Sequence, residues 1–221
     1  MQSKSPLGSS VLLVLEGGAA VLLPAIPDFL CALSFDEGDG ELLDVAWEPS
    51  DNSGWRWDEF SRRAEEIRTL RAIASAAMAR GSFQLEGQDT LALAQRMQLG
   101  KGLDPALGLY AAYAYHELQR RPLIRDMAGL MASDLGAPLF DIALLARALD
   151  GKKLGRGGTA PPTLSMLPLL SQGWTLLRAF EVRLPAALEP LVERRLPSLW
   201  TMFDARGAER LRELIHQGEF T

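Results

Sequence analysis

The sequence predicts an α+β protein: a small N-terminal antiparallel sheet followed by a mostly α-helical array of hairpins. Three observations carry that prediction. From Val11 to Trp47 short apolar runs alternate with glycine-rich or acidic turns, as β-hairpins require. From Trp57 the apolar spacing becomes helical, with Phe60, Ala64, Ile67, Leu70, Ala74 and Ala77 on one stripe. Beyond that stripe Gly81, Gly87, Gly102 and Gly136 punctuate segments of helical length.

The elements follow in order. Val11–Leu15 and Ala19–Leu23 are strands around Gly17-Gly18, where a tight turn needs positive φ. Phe29–Phe35 and Glu41–Trp47 are strands around Asp36–Gly40, and Pro24 and Pro27 mark the corner between the hairpins. A lone pair of hairpins is marginal in water, so the apolar face of the sheet is expected to rest on helices. After the turn cluster Pro49–Gly54, helices are expected at 57–80, 88–99, 105–119, 122–134, 138–149, 164–179, 185–195 and 206–217. In the third of these Asp104 is placed as N-cap and Pro105 at the first position, where no N–H is needed. Leu107, Ala111, Ala114 and Leu118 then share one side. The unit Asp104–Leu135 has the length and small/large rhythm of a tetratricopeptide repeat, without a second clean copy, and reads as a degenerate helical array. Asp150–Pro162, rich in glycine, proline and like charge, reads as an exposed flexible linker. The expected division is a β subdomain at 1–50, a helical subdomain at 51–149, the linker at 150–162 and a C-terminal helical subdomain at 163–221.

Composition narrows the function. With 221 residues, 48% of them hydrophobic and 23% charged, the chain can bury a substantial core. A net charge of −5 gives no global attraction to nucleic acid or to anionic lipid, and neither is expected as a partner. The run Val11–Leu15 is too short for a signal-peptide core and no stretch has the length of a membrane span, so the cytoplasm is the expected location. One cysteine, Cys31, cannot build a disulfide framework, and two histidines, His116 and His216, far apart in sequence, offer no zinc spacing. No metal and no cofactor is expected.

The catalytic inventory is correspondingly thin. Cys31 lies in an apolar strand, where a thiolate is disfavoured and the thiol is expected to pack as a small hydrophobe. His116 and His216 sit near helix ends, where the dipole accounts for them. Gly151–Gly158 lacks the spacing of a phosphate loop. Acid pairs such as Asp58-Glu59 and Glu65-Glu66 fall at the front of a helix. An acid/base site formed by Asp126 or Asp141 beside His116 is the enzymatic alternative. The non-enzymatic reading is the stronger, with two candidate contact surfaces. Trp55 and Trp57 flank Arg56 at the sheet-to-helix junction, either as staples of sheet to helix or as an interaction site. Tyr110, Tyr113 and Tyr115 line one helix and could mark the edge of a groove, or pack between helices.

The order of motifs Leu22–Phe29, Pro49–Trp57, Gly102–Tyr115 and Asp134–Ala143 resembles the non-catalytic C-terminal region of bacterial caspase-like, metacaspase-type peptidase proteins, here without the peptidase domain. The resemblance spans about residue 11 to Trp200 and is most specific in the Tyr-rich helix. It implies a protein-binding regulator, adaptor or substrate of such a protease in a type III CRISPR-like antiviral defence pathway. The implied partner is the protease or another protein of the same operon. Because bacterial members of that class often cut after a basic residue, Arg156 and then Lys153 become candidate cleavage positions in the linker. The alternative reading is an inhibitory partner of a toxin, sigma factor or protease, released by cleavage within 150–162.

Overall fold

The computed structural model describes residues 10–83, 89–154 and 158–217. It is α+β, with antiparallel strands leading a mainly helical chain. Two compact units divide it: a central unit, Ile26–Pro138, and a split unit formed by Met1–Ala25 with Leu139–Thr221. The expected boundaries near 50 and 150 are therefore not where this chain divides. The four N-terminal strands also form two sheets instead of one, a hairpin in each unit. Among the described residues no helix is long and apolar enough to cross a membrane.

In the split unit β1 (Ser10–Val14) and β2 (Ala20–Pro24) form the expected hairpin, with Leu12 opposite Leu22. The short strand β5 (Met202–Phe203), which sequence reasoning missed, pairs with the other edge of β2. That leaves β1 at the edge and buries β2 along its length. The helices of this unit are α5 (Phe140–Leu145), α6 (Ser171–Ala179) and α7 (Ala205–His216), with a 3-10 helix at Glu189–Arg194. Its core gathers Leu22, Phe140, Leu144, Trp174, Leu191, Phe203 and Leu211. Trp174 meets Phe203 edge-on, with ring centroids 5.9 Å apart, and its Nε1–H donates to Thr201 Oγ1 at 2.9 Å, so the buried indole is satisfied.

Three expected helices of this unit are shortened, for identifiable reasons. Arg147 adopts φ 66°, which ends the helix predicted to reach 149. Residues 164–170 are irregular, with several bends, and not helical, because Pro168 cannot donate and the next two amides have another acceptor. Leu169 and Leu170 N–H donate to the buried Asp141 carboxylate at 2.7 and 3.3 Å. Pro185 and Pro190 confine 185–195 to its 3-10 turn. The expected linker is partly tied down as well: Leu154 N–H donates to the Arg183 carbonyl and Arg183 N–H to the Lys152 carbonyl, each at 3.3 Å, and Leu154 is buried.

In the central unit β3 (Phe29–Phe35) and β4 (Leu42–Pro49) pair with Cys31 opposite Trp47, and a bulge follows Ser34. Four helices follow: α1 (Trp55–Ala79), α2 (Thr90–Gly100), α3 (Pro105–Glu117) and α4 (Arg121–Leu135). The central one is α3, which packs against α1, α2, α4 and β4, so every residue from Pro105 to Tyr115 is buried. Glycine permits that crowding. A Cβ on Gly108 would lie 2.9 Å from Met131 Sδ, and one on Gly100 only 2.5 Å from Leu107 Cδ1.

Candidate functional site

The junction of β4 and α1 carries the tryptophan pair. Ser53 turns the chain by donating its N–H to the Ser50 carbonyl at 3.0 Å, and Gly54 then takes φ 62°, where a side chain would be strained. The Gly54 carbonyl accepts from Trp57 and Asp58 N–H at 3.0 and 3.3 Å, so the helix starts at Trp55, two residues earlier than expected. Both tryptophans thereby enter the first turn.

Neither acts as the buried staple that the sequence also allowed. Trp55 is 64% exposed and Trp57 39%, although Trp57 stacks on Phe60 with centroids 6.4 Å apart. The tie is made by Arg56 instead. Its guanidinium lies 5.3 Å from the Trp55 ring centroid and 6.0 Å from that of Phe29, and Nη2 donates to the Asp134 carbonyl at 3.2 Å. Beside Trp55 lies a cleft of about 420 Å³ lined by Arg62, Leu99, Lys101, Leu103 and Asp134 among others. Glu59 on its wall is held by Arg62 at 2.7 Å and Arg63 at 3.7 Å.

Leu99, 73% exposed on α2, belongs to this surface and was not singled out from the sequence. A signal was present: the buried face of α2 runs through Leu93, Ala94, Met97 and Gly100, and Leu99 falls off that stripe. An apolar residue off its stripe, next to an exposed tryptophan, is surface with something to gain from being covered.

The tyrosines require correction. Tyr110, Tyr113 and Tyr115 are 0%, 2% and 0% exposed and pack inside the central unit, so α3 presents no tyrosine edge to a partner. The Tyr115 hydroxyl donates to Gln98 Oε1 at 2.5 Å, and burial pushes the Tyr110 phenol upward. The small residues between them seat neighbouring helices. Of the cleavage candidates, Lys153 is exposed, with its backbone bridged to Arg183, and Arg156 lies outside the described residues.

A second polar cluster of the central unit, Asp44, Arg71 and Asp104, is largely buried. Asp104, fully buried, caps α3: Oδ1 accepts from Ala106 N–H at 3.0 Å and Trp47 N–H at 3.3 Å, while Oδ2 accepts from Arg71 Nη1 at 2.6 Å. Arg71 Nε donates to Asp44 Oδ2 at 2.8 Å, so one guanidinium bridges α1, the strand β4 and the α3 cap. Burial outweighs these partners and pushes the Asp104 carboxyl up to about 6. Cys31 is exposed as a residue, against the expected core packing, but partial burial of the thiol and the Asp104 charge push it up to about 11. It is a thiol at neutral pH and a weak nucleophile.

The suggested acid/base residues, His116, Asp126 and Asp141, fall on three different elements, α3, α4 and α5. Asp126 is exposed on α4, and Asp141 is buried in the split unit with its oxygens accepting from Leu169 and Leu170 N–H. His116 and His216 lie in the last turns of α3 and α7, where a cation favours the helix dipole. Among the described residues no group of three His, Cys, Asp or Glu side chains is placed to hold a metal. Comparison with protein-family models, curated proteins and solved structures found no match for this chain.

Proposed function

We propose that this chain is a non-catalytic protein-binding regulator or adaptor that engages its partner through the Trp55–Leu99 surface. The observation that carries this reading is the exposure of two large apolar side chains, 64% and 73%, around one cleft. Apolar area covered on binding contributes roughly 25 cal/mol per Å², and tryptophan and arginine are both enriched at the energetic centres of interfaces. Arg56 stacked beside Trp55 fixes the indole before a partner arrives, which lowers the entropic cost of docking. Arg62 and Lys101 at the rim would favour an acidic border on the partner and set register more than affinity.

The partner class comes from the motif order described above: a bacterial caspase-like protease, or a protein of the same defence operon, acting in the cytoplasm. The test is calorimetric titration of the full chain with a caspase-like peptidase encoded beside it. Trp55→Ala is expected to weaken binding by about 2 kcal/mol, roughly thirtyfold, with the far-ultraviolet circular dichroism unchanged. Equal affinity of wild type and variant would remove this surface from the interface.

A further inference from the structure

We propose that the split unit carries a second docking site: a cationic cleft that takes an acidic peptide segment bearing a bulky apolar side chain. The proposal does not depend on the Trp55 surface, which lies in the other unit. The cleft has a volume of about 520 Å³, and Lys153, Arg178, Arg183 and the acid Glu189 are on its lining. Among the described residues none of these four forms an ion pair within 4.0 Å, so three cations face one acid with their charges uncommitted. That local excess of positive charge stands out in a chain whose net charge is −5.

The cations are set in place by the backbone. The parallel bridge between Lys153 and Arg183 holds their side chains alongside each other, and Arg178 projects from the last turn of α6. The cleft wall between them is apolar, with Trp174 nearly buried and Val192 40% exposed. Trp174 is itself fixed from two directions, by its hydrogen bond to Thr201 and by the Arg195 guanidinium 4.9 Å from its ring centroid. A rigid aromatic wall with a half-open aliphatic rim suits an inserted side chain, and the surrounding cations suit flanking carboxylates.

The same features select a peptide over other anions. The charges come from separate exposed segments, whereas a small anion is held by buried donors. A nucleic acid offers a regular row of phosphates and no aliphatic or benzyl side chain for the apolar wall, whereas a peptide supplies the apolar anchor and the flanking carboxylates together. Exposed ion pairs are individually weak, so the affinity is expected to combine an apolar anchor with salt-sensitive charge contacts.

The probe is a fluorescein-labelled peptide, Asp-Phe-Glu-Leu-Asp, titrated by anisotropy with the full chain at low salt. Wild type is expected to bind it at least tenfold more tightly than Lys-Phe-Lys-Leu-Lys or an oligothymidylate of equal charge, with weakening as salt rises. The double variant Arg178→Glu, Arg183→Glu is expected to lose at least tenfold in affinity. Lys153→Glu and Val192→Asp, on two other segments, are expected to lose affinity in the same direction. All four positions are exposed, so circular dichroism of the variants is expected to match wild type. Absence of binding to wild type, equal binding by wild type and the double variant, or an oligothymidylate that binds as tightly as the acidic peptide would each overturn the proposal.

Discussion

Asp104 combines two roles on one side chain, capping α3 and neutralising Arg71 at zero exposure. Removing the carboxylate leaves a buried guanidinium with only Asp44 beside it, so Asp104→Ala is expected to lower stability by about 3–5 kcal/mol, measured by urea unfolding. The carboxyl also carries a pH signature. Its folded value, about 6, lies above the ordinary 3.8, so the folded state binds the proton more tightly than the unfolded one. This group's stabilising contribution is therefore complete below about pH 4 and lost as pH rises through about 6. Asp104→Asn is expected to flatten that part of the stability–pH curve, and a wild-type slope surviving in the variant would assign it elsewhere. The cap was legible in the sequence, because Asp followed by Pro is a local signal. The Arg71 contact was not: it joins residues 33 positions apart, and an arginine beside a helix stripe looks like any solvated charge.

The helices and strands of the central unit were legible because their apolar spacing is regular and their breakers are local. The role of α3 was not. Periodicity marks which side of a helix is apolar, but whether a helix is touched from one side or from all round depends on where its neighbours lie, and four elements converge here. That geometry turns the three tyrosines from candidate surface into core. It also makes Gly108 sensitive: Gly108→Leu places side-chain atoms where Met131 Sδ stands 2.9 Å from a Cβ, and is expected to cost about 1–3 kcal/mol in thermal or urea unfolding. Gly102→Ala, where a Cβ meets nothing within 4 Å, is the matched control. Residues 164–170 failed as a helix for a related reason. The acceptor that competes for their amides, Asp141, is 28 residues away, beyond the reach of a local pattern.

Across the whole molecule, the chain leaves one unit at Ala25 and returns to it at Leu139, a division that no linker composition announces. Prolines at 24, 27 and 138 stand near the two crossing points, yet the glycine-rich segment at 150–162, which looked like the boundary, lies within one unit. The central unit is continuous in sequence and has its own core. Residues 26–138 expressed alone are accordingly expected to unfold in one cooperative transition, whereas deletion of residues 1–25 removes the buried strand β2 and is expected to destabilise 139–221. Two scattered transitions, or no folded state, for 26–138 would contradict the division. Site-specific crosslinking tests the Trp55–Leu99 surface most directly. With a photoreactive phenylalanine analogue in place of Trp55, illumination of the producing cells is expected to yield one covalent complex. The protein identified in it, once purified, is expected to bind wild type at least tenfold more tightly than the Trp55→Ala, Leu99→Ser variant. A crosslinked protein that binds both forms equally, or a chain that remains uncrosslinked at position 55, would contradict the account.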